Sequence, residues 1–396
     1  MSNARTSLRI GFIPLVDAAA LLIAVDKGFA EAEGLDITLV REVSWSNVRD
    51  KLNIGLFDAA HLLAPVAIAS SLGLAQVREP IAVPFTLALN GNAITLSPAL
   101  HDELRAQLDG DIANPAATGH ALARVIAARR ATGGDPLTFG MTFPFSLHNY
   151  QLRFWMGAAG IDPDEDVRLV VLPPPYMVDS LVRGQVDGFC VGAPWNSVAV
   201  SMGIGRILHF GADIIPRITE KVLALRQCFA DQHTDTVGAL VRALHRGALF
   251  AAAPQNHAEV AALLARPDRV GVDPHLIQRT LEGCLRLDSD GTERRSGDYL
   301  LIGRDSVGRP DPVHAEWLYL QMARWRQTPY DPAAQATAHA VFRPDLYNAA
   351  LASEASPPAG SVSGGTVGAF AGPVFTSGHA IAFLDYWNAR RPNAAD

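Results

Sequence analysis

The chain alternates between short apolar runs and longer stretches whose apolar residues fall three and four apart. The first rhythm marks buried strands, and the second marks helices with one apolar stripe. Leu8–Pro14 (LRIGFIP) reads as a strand. Over 17–32 the stripe Ala18, Leu21, Leu22, Val25 and Phe29 predicts a helix, with Gly34 as its C-terminal cap. Leu35–Val43 predicts a second strand, and Ser44 or Ser46 caps a helix running to Asn53. Asp58–Leu63 predicts a short buried strand, Pro65 opens an Ala-rich helix, and Ile81–Leu89 predicts a further strand. A helix rich in Ala and Arg falls between His101 and Arg130. The order of elements then recurs: strand Leu137–Thr142, helix Ser146–Ala159 capped by Gly160, strand Val167–Leu172, helix Pro175–Arg183, strand Asp187–Val191, and a helix from Pro194. Strands alternating with helices predict a parallel α/β sheet.

The recurrence extends to individual residues. Leu52, Gly55, Asp58, Ala64 and Pro65 match Leu181, Gly184, Asp187, Ala193 and Pro194 at a constant spacing of 129 residues. The shared unit is a helix ending at Gly, a buried strand starting at Asp, and a helix opened by Pro. It predicts two similar lobes, and two α/β lobes hold a ligand in the cleft where strand ends and helix N-termini converge. The expected division is a first lobe over 8–90, a second over 91–211, and a return to the first lobe over 212–352. The return reads as mostly helical: Thr234–Ala252, His257–Ala265, Pro274–Leu285 and His314–Trp325. The tail, 353–396, is rich in Gly, Ser and Pro as far as Thr376 and closes with a short helix near Ala380–Trp387.

Composition narrows the function classes. Hydrophobic residues make up 49% and charged residues 18% of the 396, which excludes a disordered chain. The formal charge of −7 comes with no basic run, so direct nucleic-acid binding is not expected. Cys190, Cys228 and Cys284 are scattered and form no CxxC pair, which fits a reducing compartment. Seven residues precede the first apolar strand, too few for a secretory leader, and no apolar span of about 20 residues occurs. The expectation is a soluble cytoplasmic protein with no membrane contact.

Catalytic and metal motifs are missing. There is no HExxH, Walker loop or GxSxG, and the twelve histidines are scattered. Gly364, Gly365 and Gly368 lack the Lys and Ser/Thr of a phosphate loop, and the acidic run Asp162, Asp164, Glu165, Asp166 reads as a solvated turn rather than a calcium loop. Four polar or aromatic residues are candidates for a ligand site. His148 lies in the first turn of its helix, where free N–H groups and the dipole favour an anion; by itself a packed or surface histidine is the plainer reading. Trp45 opens another helix, and the 129-residue spacing maps it onto Pro174. Its indole offers a flat face and one N–H, or simply a core side chain. Asn92, after Gly91 at the crossing between lobes, suits either an oxyanion or a plain turn. Lys221, ahead of an apolar run, reads by itself as a solvated lysine.

The run VVLPPPYMVDSLVRGQVDGFCVGAPWN resembles the signature of nitrate- and bicarbonate-binding proteins of the NrtA/CmpA type. So do SWSNVRDKLNIGLFDAAHLLAP, NGNAIT, TFPFSLHNYQLRFW and EKVLALR, in family order from residue 8 to about residue 230. The resemblance implies an α/β, two-lobed type II periplasmic-binding-protein-like fold with a helical C-terminal part. It implies that Trp45, Asn92, His148, Pro174, Val191, Gly192 and Lys221 bind nitrate. Bicarbonate binders of the family differ at the His and Lys positions and use an acidic residue with calcium. His148 and Lys221 therefore imply nitrate or nitrite, with no metal or other cofactor. Asn92 departs from the family's usual Gln, which leaves room for nitrite. Members without a leader resemble the cytoplasmic sensor NasS, whose partner is NasT, an RNA-binding antiterminator of nitrate-assimilation genes. The expectation is thus a non-enzymatic nitrate/nitrite sensor whose lobe closure releases a NasT-like protein. The alternative is the substrate-binding component of a nitrate importer.

Overall fold

The computed structural model describes residues 5–74, 77–352 and 364–390. Strands β1 (Thr6–Phe12), β2 (Leu35–Arg41), β3 (Ala59–Leu63) and β4 (Ile81–Asn90) are followed by β5 (Asn92–Leu96), β6 (Thr138–Met141), β7 (Arg168–Val171), β8 (Gly188–Gly192), β9 (Arg206–Phe210) and β10 (Thr219–Arg226). Among the described residues they form two principal sheets. One has the order Leu300–Leu301, β4, β10, β3, β1, β2; the other has the order β7, β6, β8, β5, β9. The result is a two-lobed α/β fold.

Each lobe has the same wiring. In β1, Leu8, Ile10 and Phe12 are buried and pair in parallel with β2 and β3. In the other sheet β6 pairs in parallel with β7 and β8. Strands β3 and β8 are buried at every position, as strands covered on both faces must be. They sit 129 residues apart, Ala59 against Gly188 and Leu63 against Gly192, so the spacing seen in the sequence is the spacing of equivalent strands.

The sheets are mixed, not parallel. β10 runs antiparallel between β3 and β4, and β5 runs antiparallel between β8 and β9. Strand–helix alternation describes only the parallel half of each lobe, and the antiparallel strands belong to the crossings. β4 passes into β5 through Asn90 (φ 54°) and Gly91 (φ 91°). A side chain on Gly91 would stand 2.6 Å from Leu300 Cδ1, so only glycine fits this left-handed corner. The second crossing joins β9 to β10. The two crossings are bonded together: Asn90 Nδ2 donates to Ile215 O at 2.9 Å and Asn90 N to Ile218 O at 3.1 Å.

Other expectations need adjustment. The helix expected over 17–32 divides into a 3-10 turn, Val16–Ala18, and helices Ala19–Asp26 and Phe29–Ala32, broken where Gly28 turns left-handed. The helix expected over 274–285 stops at Leu281, because Gly283 is left-handed and starts the strand Cys284–Arg286. The segment expected to return as helix carries β10, a central strand of the first sheet. Its helix Thr234–Ala252 packs on Ala19–Asp26, and a side chain on Gly247 would overlap Ala20 O. The expected loop over 353–376 lies outside the described residues as far as 363; beyond that, Thr366–Val367 pairs with Phe375–Thr376. Helix Ala380–Asn388 closes the described chain, with Trp387 edge-on to Phe154 at 4.9 Å.

Candidate functional site at the junction of the sheets

Alternation along a strand sends neighbouring side chains to opposite faces. Glu220 and Lys221 are neighbours, yet both are fully buried and touch. The register of β10 against β4 explains this: Thr219 stands opposite Leu89 and Lys221 opposite Ala88, so Glu220 is an extra residue. Such a bulge re-aims a side chain, and Lys221 Nζ donates to Glu220 Oε1 at 2.8 Å.

A second carboxylate completes the lysine's surroundings. Asp17, in the turn Val16–Ala18, places Oδ2 3.0 Å from Lys221 Nζ. His61 of β3 accepts from Ile13 N through Nδ1 at 3.4 Å, and its Nε2 lies 2.9 Å from Asp17 Oδ1, in contact but off the line of a good hydrogen bond. From the other lobe, His148 is the second residue of helix Leu147–Ala158, whose N-cap Ser146 accepts from Asn149 N. Its Nδ1 lies 2.9 Å from Thr142 Oγ1 and 3.4 Å from Glu220 Oε1. Asn92 opens β5 and donates through Nδ2 to Glu220 Oε2 at 2.9 Å. Trp45 opens helix Trp45–Asn53 after the N-cap Ser44; Lys221 Nζ stands 5.4 Å from its ring centre and His61 5.3 Å, edge-on.

Val191 and Gly192 border this cluster. Gly192 pairs with Asn92, and Val191 with Ala93. A side chain on Gly192 would come within 3.3 Å of Asp17 Oδ2 and 3.5 Å of Leu15, so the absence of one lets the two lobes approach. Val16 N donates to Ala193 O at 2.9 Å across the same seam. Val191 O accepts from Asn196 Nδ2 at 2.7 Å. Pro174 is buried at the start of the turn Pro174–Tyr176 and takes no part in the polar contacts of the cluster. Gly211 is also tightly fitted: a side chain there would overlap Asn92 Oδ1 and stand 2.6 Å from Gln151 Nε2.

Burial dominates the electrostatics, and ion pairing opposes it. Burial works to raise the Asp17 carboxyl, but Lys221 and His61 outweigh it and hold it below its ordinary value. Burial works to lower the Lys221 ammonium, but Asp17 and Glu220 hold it above. Glu220 goes the other way: burial lifts it to about 7 against the pull of Lys221, and Asp17 adds to the lift. Burial, helped by Lys221, pushes His148 well below its ordinary value. Burial also lowers His61 against the opposing pull of Asp17. Two donor positions, Trp45 Nε1 and His148 Nε2, are buried without a hydrogen-bond partner among the described residues, as is the acceptor Asn92 Oδ1. Buried N–H groups left open beside a lysine suit an acceptor-only ligand.

Lys221 is thus no solvated lysine. Asp17, His61, Thr142 and Glu220 were not singled out in the sequence. The 129-residue spacing held a signal for one of them, since it maps Asp17 onto Ser146, the cap of the His148 helix. An open groove of about 520 Å³ lies elsewhere, and none of the predicted residues lines it. The acidic run borders that groove, with Asp164 paired to Arg153 at 2.6 Å and Asp166 to Arg130 at 2.5 Å.

Comparison with known proteins agrees with this geometry. The NMT1-like family model matches residues 2–265. The nitrate/nitrite binding protein NrtA of Synechococcus elongatus is 30% identical over 95% of this chain and 85% of its own length. The nitrate import ATP-binding protein NrtC of Synechocystis is 32% identical over 87% of this chain, and the chain spans 50% of that protein's length. The crystal structure of the periplasmic nitrate-binding protein NrtA from Synechocystis superposes with a TM-score of 0.88 at 26% identity, covering 97% of this chain and 99% of that one. With two lobes of periplasmic-binding-protein type joined at a buried lysine, the chain belongs to the NMT1-like family, among its NrtA/CmpA-like members.

Proposed function

We propose that this chain binds nitrate, or nitrite, at the seam between its lobes. The observation that carries the reading is the convergence around Lys221 of side chains from both lobes, with Trp45 Nε1 and His148 Nε2 left without a hydrogen-bond partner among the described residues. A flat, acceptor-only monovalent anion uses those N–H groups, the Lys221 ammonium and the Asn92 amide, and a ligand that touches both lobes favours their closed arrangement. The names of the NrtA relatives support the same ligand. Titration calorimetry with nitrate, nitrite and bicarbonate tests it. Saturable binding of nitrate or nitrite, weakened in His148→Ala, is expected; tighter binding of bicarbonate than of either anion overturns the assignment.

The finer reading is a cytoplasmic sensor whose closure changes the surface offered to a NasT-like antiterminator. In support, the charge of −7 without a basic run leaves RNA control to a protein partner. Nitrate must then bind the partner-free form more tightly, and the partner must weaken nitrate binding by the same factor. Equal nitrate affinity with and without the partner refutes this. The second reading, delivery of the anion to an importer, is favoured by the relatives' names. It predicts nitrate-dependent binding to a membrane permease in place of an antiterminator.

A further inference from the structure

The seam holds more acceptor charge than an anion site can carry. Among the described residues, Lys221 is the one Lys or Arg in contact with the two buried carboxylates of the seam, Asp17 at 3.0 Å and Glu220 at 2.8 Å. Ionised Glu220 also engages the groups that an anion needs. Its Oε1 takes Lys221 Nζ and lies 3.4 Å from His148 Nδ1, and its Oε2 takes the Asn92 amide. Nitrate and a carboxylate are both acceptor-only, so they compete for the same N–H groups. The charge count points the same way. With Glu220 ionised, Lys221, Asp17 and Glu220 sum to −1, and a bound monovalent anion makes −2 in a site closed to water. With Glu220 neutral the sum is zero before binding and −1 after it. A buried uncompensated charge is the more costly state, so the second route wins.

Resting on the nitrate reading above, we propose that anion binding is proton-linked: where Glu220 is ionised in the free protein, each nitrate enters with one proton, taken up from solvent on the Glu220 carboxyl. The new O–H bond turns Glu220 from a competitor for donors into a donor, and releases the Asn92 amide and one Lys221 N–H toward the ligand. The other groups facing Glu220 leave it as the site of uptake. Lys221 on its own strand stays charged, and so does Asp17 from the turn Val16–Ala18. His61 from β3 touches Asp17 and is lowered by burial. His148 from the second-lobe helix is held neutral by burial and by Lys221. Asn92 from β5 and Gln151 beside His148 do not titrate. Cys190 from β8 and Tyr299 ahead of Leu300–Leu301 are kept protonated by burial. Glu220, lifted to about 7, changes its proton near neutral pH.

The test is calorimetric titration of the full chain with nitrate from pH 5.5 to 8.5, in two buffers of different ionisation enthalpy. Affinity is expected to be flat below pH 6 and to weaken about tenfold per pH step above 7. Proton uptake, read from the difference between buffers, is expected to approach one per nitrate at pH 8.5 and to vanish near pH 5.5. In Glu220→Gln the pH slope and the buffer dependence should both disappear. Nitrate binding of constant affinity across the range, with no buffer dependence, overturns the linkage and leaves the nitrate reading standing. A slope that survives in Glu220→Gln overturns the assignment of the proton to Glu220. Absence of nitrate binding at every pH overturns the proposed function, and the linkage with it.

Discussion

Replacing Lys221 by Met keeps the volume and removes the charge, so its cost isolates what the ammonium does for the fold. The wild-type lysine is fully buried between Asp17 and Glu220. Removing one partner of a buried ion pair typically costs about 3–5 kcal/mol, because the remaining charge is left uncompensated. Here the two carboxylates respond differently. Glu220, already at about 7, becomes neutral in the variant with little further cost at neutral pH. Asp17 is the one stranded. It either stays ionised beside His61 alone or takes a proton, and the second choice caps the loss. Protonating a carboxyl of ordinary value 3.8 costs about 5 kcal/mol at pH 7.5 and about 1.6 kcal/mol at pH 5, at about 1.4 kcal/mol per pH step. The variant should therefore lose about 3–5 kcal/mol at pH 7.5 and less than about 2 kcal/mol at pH 5. Urea unfolding of both proteins at the two pH values measures this as the difference in extrapolated stability. A loss below 1 kcal/mol at pH 7.5, or one of the same size at both pH values, refutes the picture of Lys221 as the counter-ion of Asp17.

Glu220 supplies the opposite dependence. Its folded-state value lies above its unfolded one, so the stability it contributes is fully present below pH 4.5 and lost as pH rises through about 7. The loss is about 3 kcal/mol, and Glu220→Gln should escape it, gaining on the wild type between urea midpoints at pH 4.5 and 7.5. Trp45→Phe keeps the ring beside Lys221 and removes only the unpartnered N–H. Nitrate affinity at pH 6 should fall about tenfold to a hundredfold in calorimetry, the worth of a hydrogen bond to a charged group, with the melting temperature little changed. Gly211→Ala drives a methyl against Asn92 Oδ1, so titration should show affinity down at least about tenfold and unfolding should show about 1–3 kcal/mol of overpacking.

The fold was legible where local pattern and global wiring agree. β1, β3, β6 and β8 are short apolar runs bounded by Gly, Pro or Asp, and their 129-residue spacing marks two lobes in the sequence itself. The misread features are those in which tertiary contact overrides period. β10 falls in a segment that reads as helical, because a single strand after a long crossing carries no alternation partner in its neighbourhood. The sequence predicts parallel sheets because β5 and β10 enter from crossings, and the direction of such a strand is fixed by the hinge and not by its own residues. Left-handed Gly28 and Gly283 each interrupted a stripe that by period alone would have continued as helix.

The site divides along a similar line. Helix starts are readable, so Trp45 and His148 could be placed at cleft positions from Ser44 and Ser146. Burial of a charge is not readable, because it depends on a counter-charge distant in sequence. His148 shows the difficulty. His209 and His314 are also fully buried and also meet a threonine, at 2.6 Å from Thr118 and 2.8 Å from Thr219. Burial pushes both down to about 4. Neither burial nor partner type separates the three histidines; what separates His148 is Glu220, 3.4 Å away. Glu220 points there only because of a one-residue bulge in β10, and a bulge leaves no mark on composition or period. The charge balance of the seam is therefore set by the one side chain whose direction the sequence could not give. A resemblance that carries Lys221 over as the anion's counter-ion accounts for half of that balance. The other half is two carboxylates, of which Asp17 stays charged beside Lys221 and Glu220 is the one that must be neutralised before the anion's charge can enter.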